Sequence, residues 1–243
     1  MNVKIIQIII LFIVLLSCKM KDETSLIKPA TSGSSPAVQQ VVSPAPVPAS
    51  PVRYLALGDS YTKGESVSPD QSYPSQLCAA LTESGVQVSS YKIIAQTGWT
   101  TGSLEAAIQA SGLQDTFNMV SLLIGVNNQY QGRSLAEYRT DFLQLAERAI
   151  QFAGGHKEYV FIISIPDYGY TPFGSSNQAS ISAQIDQFNA VNKYLSDSLG
   201  LRYYDITPIS RKGLDEPDLV ASDGLHPSGK MYGEWVNLIM QKR

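Results

Sequence analysis

Short runs of β-branched and aromatic residues alternate along this chain with longer stretches of helical periodicity, and that alternation leaves few folds open. Residues 54–57, 92–95, 120–124, 159–165 and 203–206 read as five strands. Between them, Leu135, Tyr138, Phe142, Leu145 and Ala149 recur at steps of three and four, with Ser134 and Glu137 placed as a capping box. Ile181, Ile185, Phe188, Val191 and Leu195 repeat the pattern and stop at Gly200, a candidate C-cap, while Met231, Trp235 and Leu238 mark a last helix. Strands separated by helices favour a parallel sheet covered on both faces, and ligands in such sheets sit beyond the carboxyl ends of the strands.

The polar residues that follow the strands supply a chemistry. Gly58-Asp59-Ser60 follows the first, Gln96-Thr97-Gly98-Trp99 the second and Gly125-Val126-Asn127-Asn128 the third. Asp223-Gly224-Leu225-His226-Pro227 precedes the last helix. A serine hydroxyl becomes a nucleophile at neutral pH when an imidazole takes its proton and a carboxylate fixes the imidazole tautomer. Ser60, His226 and Asp223 are the candidates, and the Asp-x-x-His spacing puts acid and base on one loop. Gly98 and Asn127 are placed to supply oxyanion donors. Of the two histidines, His156 sits in the loop Gly154-Gly155-His156-Lys157-Glu158 and reads as solvated, which leaves His226 as the one candidate base.

In this order and at these separations, Gly58-Asp59-Ser60, Gly98, Gly125-x-Asn127 and Asp223-x-x-His226 resemble the four sequence blocks of the SGNH (GDSL-type) hydrolases, over about residues 52 to 241. The resemblance implies an α/β fold, a three-layer α/β/α sandwich around a flavodoxin-like five-stranded parallel sheet. It also implies a carboxylic ester hydrolase with Ser60 as nucleophile, His226 as general base and Asp223 as its partner. The oxyanion hole would be the Ser60 and Gly98 N–H groups and the Asn127 side-chain amide. The third block of that family often reads Gly-x-Asn-Asp, whereas Asn128 stands here; the donor Asn127 is intact and only the contacts behind it are in question. An α/β-hydrolase would need a Gly-x-Ser-x-Gly elbow, and the chain has none.

The N-terminus reads as targeting. Lys4 precedes an apolar run over residues 5–16, broken only by Gln7, too short to span a bilayer. It ends in Leu15-Leu16-Ser17-Cys18, which resembles the lipobox of bacterial lipoproteins and implies cleavage before a lipidated Cys18; an uncleaved signal anchor is the other reading. Residues 1–17 are then a signal peptide, 18–51 a tether holding six of the thirteen prolines, and 52–243 the hydrolase domain. About 190 residues suit one domain with a full core. Cys78, among Leu77, Ala79, Ala80 and Leu81, reads as a small buried apolar residue.

A net charge of −3 without an internal Lys/Arg cluster gives no footprint for nucleic acid. There is no phosphate loop, dinucleotide fingerprint or Cys/His metal cluster, so neither cofactor nor metal is expected. The expected partners are a small-molecule, glycan or lipid ester and, through the lipid anchor, an envelope membrane facing the periplasm or the outer membrane, with the chain a monomer. Tyr61, Trp99, Tyr130, Tyr168 and Tyr170, with Phe173, fall on the catalytic edge, either as walls for a sugar or acyl group or simply because thirteen tyrosines must sit somewhere. The segment 166–174 is a candidate substrate lip with Asp167 as a polar contact, or only a rigid connection. A binding lipoprotein without turnover and an acyltransferase are the competing functions.

Overall fold

The computed structural model describes residues 51–242. The signal-like segment 1–17, Cys18 and all of the tether except Pro51 lie outside them. Five strands form one sheet: β1 Val52–Gly58, β2 Val88–Ala95, β3 Met119–Leu123, β4 Val160–Ile163 and β5 Arg202–Tyr204. The order is β2-β1-β3-β4-β5 and every pair is parallel. This is the expected flavodoxin-like α/β arrangement, with the order reversing between β1 and β3.

Burial explains the order. β1, β3 and β4 are apolar almost throughout and buried on both faces, as interior parallel strands must be. β2 carries Ser89, Ser90, Tyr91 and Lys92 exposed and lies at an edge, where polar side chains discourage pairing with another chain. It therefore begins four residues before its apolar half, the part that periodicity detects. β5 stops at Tyr204, because the N–H groups of Ile206 and Thr207 bond the Ser164 hydroxyl instead of a strand.

Among the described residues, eight α-helices surround the sheet: α1 Ser60–Lys63, α2 Tyr73–Glu83, α3 Thr101–Ser111, α4 Val126–Tyr130, α5 Leu135–Phe152, α6 Gln178–Leu199, α7 Thr207–Ser210 and α8 Gly229–Gln241. α2 packs with α8, whereas α5 packs with both α3 and α6, the two helical layers that right-handed crossovers from this strand order produce. The Ser134 hydroxyl caps α5 by accepting the Glu137 N–H at 3.1 Å. The reciprocal half of the capping box is absent, because the Glu137 carboxylate pairs with Arg133 at 3.6 Å. Gly200 closes α6 in the left-handed conformation, φ 72°. Cys78 is buried, and burial pushes its thiol up to about 11, which suits a packing role.

Candidate active site

The turn out of β1 is built on two close contacts. A Cβ at Gly58 would collide with the Thr62 hydroxyl and the Leu123 carbonyl, so only glycine lets the end of β1 approach β3 and α1 this closely. Asp59 then caps α1, its Oδ1 accepting the Tyr61 N–H at 3.0 Å. The Asp59 side chain is fully buried, and desolvation raises its carboxyl from 3.8 to about 7 against the pull of the Tyr61 and Gly125 N–H groups. Ser60 is the first residue of the helix that this carboxyl caps.

Two further loops meet at the same edge. Gly98 follows β2 with φ 86° and open space where a Cβ would stand, so backbone conformation rather than crowding calls for glycine. Asn127, on α4, donates one Nδ2 hydrogen to the Trp99 carbonyl at 3.0 Å. A primary amide carries two such hydrogens, so this bond uses one of the two. Gly125 begins α4 at φ 132°, where a Cβ would press on the Tyr138 hydroxyl and Ile165.

Asn128 turns the other way. Its Oδ1 accepts the Thr101 N–H at 3.0 Å, and its Nδ2 donates at 2.7 Å to the Thr101 hydroxyl, which in turn donates to Asp141 at 2.8 Å. An amide suits this place because it both donates and accepts, and the departure from Gly-x-Asn-Asp thus lies in the bolt that holds α3, behind Asn127.

The acid and base share the loop before α8. Asp223 Oδ1 accepts the N–H groups of Leu225 at 2.9 Å and His226 at 3.0 Å, which ties the loop into an Asx-type turn. Its Oδ2 meets His226 Nδ1 at 2.6 Å and accepts the Ser66 hydroxyl at 2.6 Å. Burial works against the charge, but the bonds from Ser66, His226 and the two backbone N–H groups outweigh it and hold the Asp223 carboxyl well below its ordinary 3.8. An ionised carboxylate can only accept, so Nδ1 carries a proton in this contact, and in a neutral ring the lone pair would lie on Nε2. The ring stands edge-on to Tyr61, centroids 5.8 Å apart, and Tyr61 is the residue that follows Ser60 in α1.

The aromatic residues divide. Tyr61 and Tyr168 are buried, contrary to their expected place on a substrate wall. Tyr61 belongs to the core through Trp235, at 6.5 Å. Tyr168 supports Tyr130 and Phe173, each 6.3 Å away. Those two are more than half exposed and lie 6.3 Å from each other at the rim, whereas Trp99 and Tyr170 are partly buried. Asp167 is committed to partners within the fold. It is fully buried, paired with Arg211 at 2.9 Å, and it caps the turn that follows through Gly169 N–H at 2.9 Å. The segment 166–174 is anchored at Asp167 and braced near its far end, where the Phe173 N–H donates to the Gly224 carbonyl at 3.0 Å while the Phe173 ring stays exposed.

Sequence reading missed Ser66, whose loop offers no spacing cue, and Glu65, which accepts the Thr97 hydroxyl beside Gly98 and a bond from Lys63 at 2.8 Å. His156 is exposed and pairs with Glu158 at 3.0 Å just before β4, at the opposite end of the strands. Among the described residues no group of three or more His, Cys, Asp or Glu is placed to hold a metal ion.

Comparison with known proteins speaks to the fold and the family. Among solved structures, phospholipase A1 from Streptomyces albidoflavus NA297 superposes with a TM-score of 0.63 at 18% identity, over 80% of this chain and 100% of that one. The acetylxylan esterase Axe2 from Geobacillus stearothermophilus gives 0.62 at 18%, over 79% and 93%. TesA gives 0.61 at 16%, over 78% and 97%. These likenesses speak for the fold. No curated protein sequence matches the chain. The model of the GDSL-like lipase/acylhydrolase family matches residues 56–233, most of the chain and all four blocks, and the chain belongs to that family of carboxylic ester hydrolases.

Proposed function

We propose that the chain cleaves esters through an acyl-enzyme on Ser60, with His226 as general base and Asp223 holding its tautomer. The observation that carries this reading is the 2.6 Å contact between Asp223 Oδ2 and His226 Nδ1, which leaves Nε2 free to accept a proton. His226 takes the Ser60 proton as Oγ attacks the ester carbonyl. The N–H groups of Ser60 and Gly98 and the spare Asn127 amide hydrogen stabilise the oxyanion. The imidazolium then protonates the leaving alkoxide, and a water, deprotonated by the same nitrogen, releases the acid.

The substrate classes that fit are acetylated carbohydrates and lysophospholipid-like esters. Acetylxylan esterase and phospholipase A1 stand among the similar folds, and the exposed rings of Tyr130 and Phe173 provide an amphipathic rim for either. The lipobox-like Leu15-Leu16-Ser17-Cys18 supports a lipoprotein anchored in the cell envelope through Cys18.

Hydrolysis of p-nitrophenyl acetate, butyrate and octanoate by the full chain, beside a folded Ser60→Ala variant, tests the mechanism. Turnover should drop by roughly 10⁴ to 10⁶ in the variant, and a variant as active as its parent would remove Ser60 from the chemistry. Preference for acetate points to glycans and for octanoate to lipids. Fractionating the same cells into membrane and soluble pools checks the anchor.

A further inference from the structure

Ser66 is the one non-glycine residue among those described that holds a positive φ, 65°. Such backbone strain persists where the surroundings impose it, and it concentrates at functional sites. Here the imposed conformation points the hydroxyl across 157 positions of sequence onto Asp223 Oδ2, at 2.6 Å. That oxygen is the one that faces His226 Nδ1. The loop is fixed on both sides of Ser66. Gly64 closes α1 in the left-handed conformation, and Glu65 is bonded to Lys63 and to Thr97 beside the Gly98 turn.

We infer that Ser66 is a positioning residue of the ester-cleaving site: its hydroxyl orients the Asp223 carboxylate and shares its charge with the imidazole. This rests on the reading of Ser60, His226 and Asp223 as a triad. Asp223 Oδ1 is committed to the loop backbone, so Oδ2 alone orients the ring, and Ser66 is its second donor. The hydroxyl draws electron density from the oxygen that polarises Nδ1–H. It thereby fixes the geometry of the pair and tempers how strongly the carboxylate holds an imidazolium. The other groups that face this pair are the buried, neutral phenols of Tyr61 and Tyr232 next to Asp223, and Glu65, with its Lys63 partner, on the His226 side.

Ser66→Gly separates hydroxyl from backbone, since glycine accepts the left-handed conformation that alanine strains. In the full chain, kcat on p-nitrophenyl acetate should fall about tenfold with KM within about twofold, as loss of one charge-assisted bond to the acid predicts. The acid limb of the pH profile should move to higher pH, because the unshared charge of Asp223 holds the imidazolium harder. Ser66→Ala should behave alike. A second readout needs no turnover: the low-field proton resonance of His226 Nδ1–H should shift or broaden in Ser66→Gly, while the ring signals of exposed His156 stay in place. If kcat, the acid limb and that resonance all match the parent, Ser66 is only a loop residue. If Ser60→Ala retains activity, the triad reading fails instead, and the resonance alone then decides whether Ser66 controls the Asp223–His226 pair.

Discussion

At the scale of single residues, the site depends on which hydrogen of which group is already committed. Asn127 has given one amide hydrogen to the Trp99 carbonyl, and that bond aims the other. Asn127→Ala removes the aimed donor and leaves the fold of α4 in place, because Asn128 continues to fix α3 through Thr101. We expect about 3 kcal/mol on the barrier, roughly a hundredfold in kcat, with the thermal midpoint little changed. Steady-state kinetics beside a melting curve decides it, and a loss of folding equal to the loss of rate would make Asn127 structural. Residue scale is also where sequence reading was sharpest and most deficient. The Asp223–His226 pairing is legible because the two residues lie three positions apart on one loop. Ser66 does not, because its partner is 157 positions away and its conformation leaves no mark in composition. The same blindness put Tyr61 and Tyr168 on the wall, since a tyrosine near a strand end reads alike whether it faces solvent or Trp235.

At the scale of elements, strands with two buried faces were legible as apolar runs, and their errors have local causes. β2 is longer than its apolar half because an edge strand tolerates serine and lysine, and β5 is shorter because Ser164 captures the amides beyond Tyr204. The short helices α1, α4 and α7 carry too few turns for periodicity to show. In the connection after β4, Arg211 supplies the anchor. This guanidinium bonds the buried Asp167 at 2.9 Å and the exposed Asp186 at 2.6 Å, pinning the segment that braces Gly224. Arg211→Ala leaves a buried carboxylate without its cation. Partial exposure of the arginine discounts the usual penalty to about 2 to 3 kcal/mol of stability. Because the brace ends on the loop of His226, kcat should fall as well. Urea unfolding together with ester turnover tests both, and a variant with the parent's midpoint and rate would return the segment to a passive connection.

At the scale of the whole molecule, two carboxyls of one site are driven in opposite directions. Asp223, rich in donors, sits below its ordinary value, so its contribution to stability is present above the unfolded 3.8 and is lost only as the medium becomes strongly acid. Asp59, buried at the N-cap of the helix that Ser60 opens, sits at about 7. Its unfolded form gives up a proton that the folded form keeps, so the fold is favoured below 3.8 and loses ground as pH rises to about 7, then levels off. The magnitude is on the order of 4 kcal/mol across that window. An imidazole base works on the neutral side of it, so the pH range that suits catalysis is the range in which the turn under Ser60 is least stable. Asp59→Asn keeps an acceptor for the Tyr61 N–H and removes the ionisation. Urea midpoints of parent and variant, measured at intervals from pH 4.5 to 8, should therefore diverge: the parent weakens toward pH 7 while the variant holds level and becomes the more stable of the two. Parallel curves would mean that Asp59 ionises with its ordinary affinity and that the buried acid beside Ser60 stores no cost.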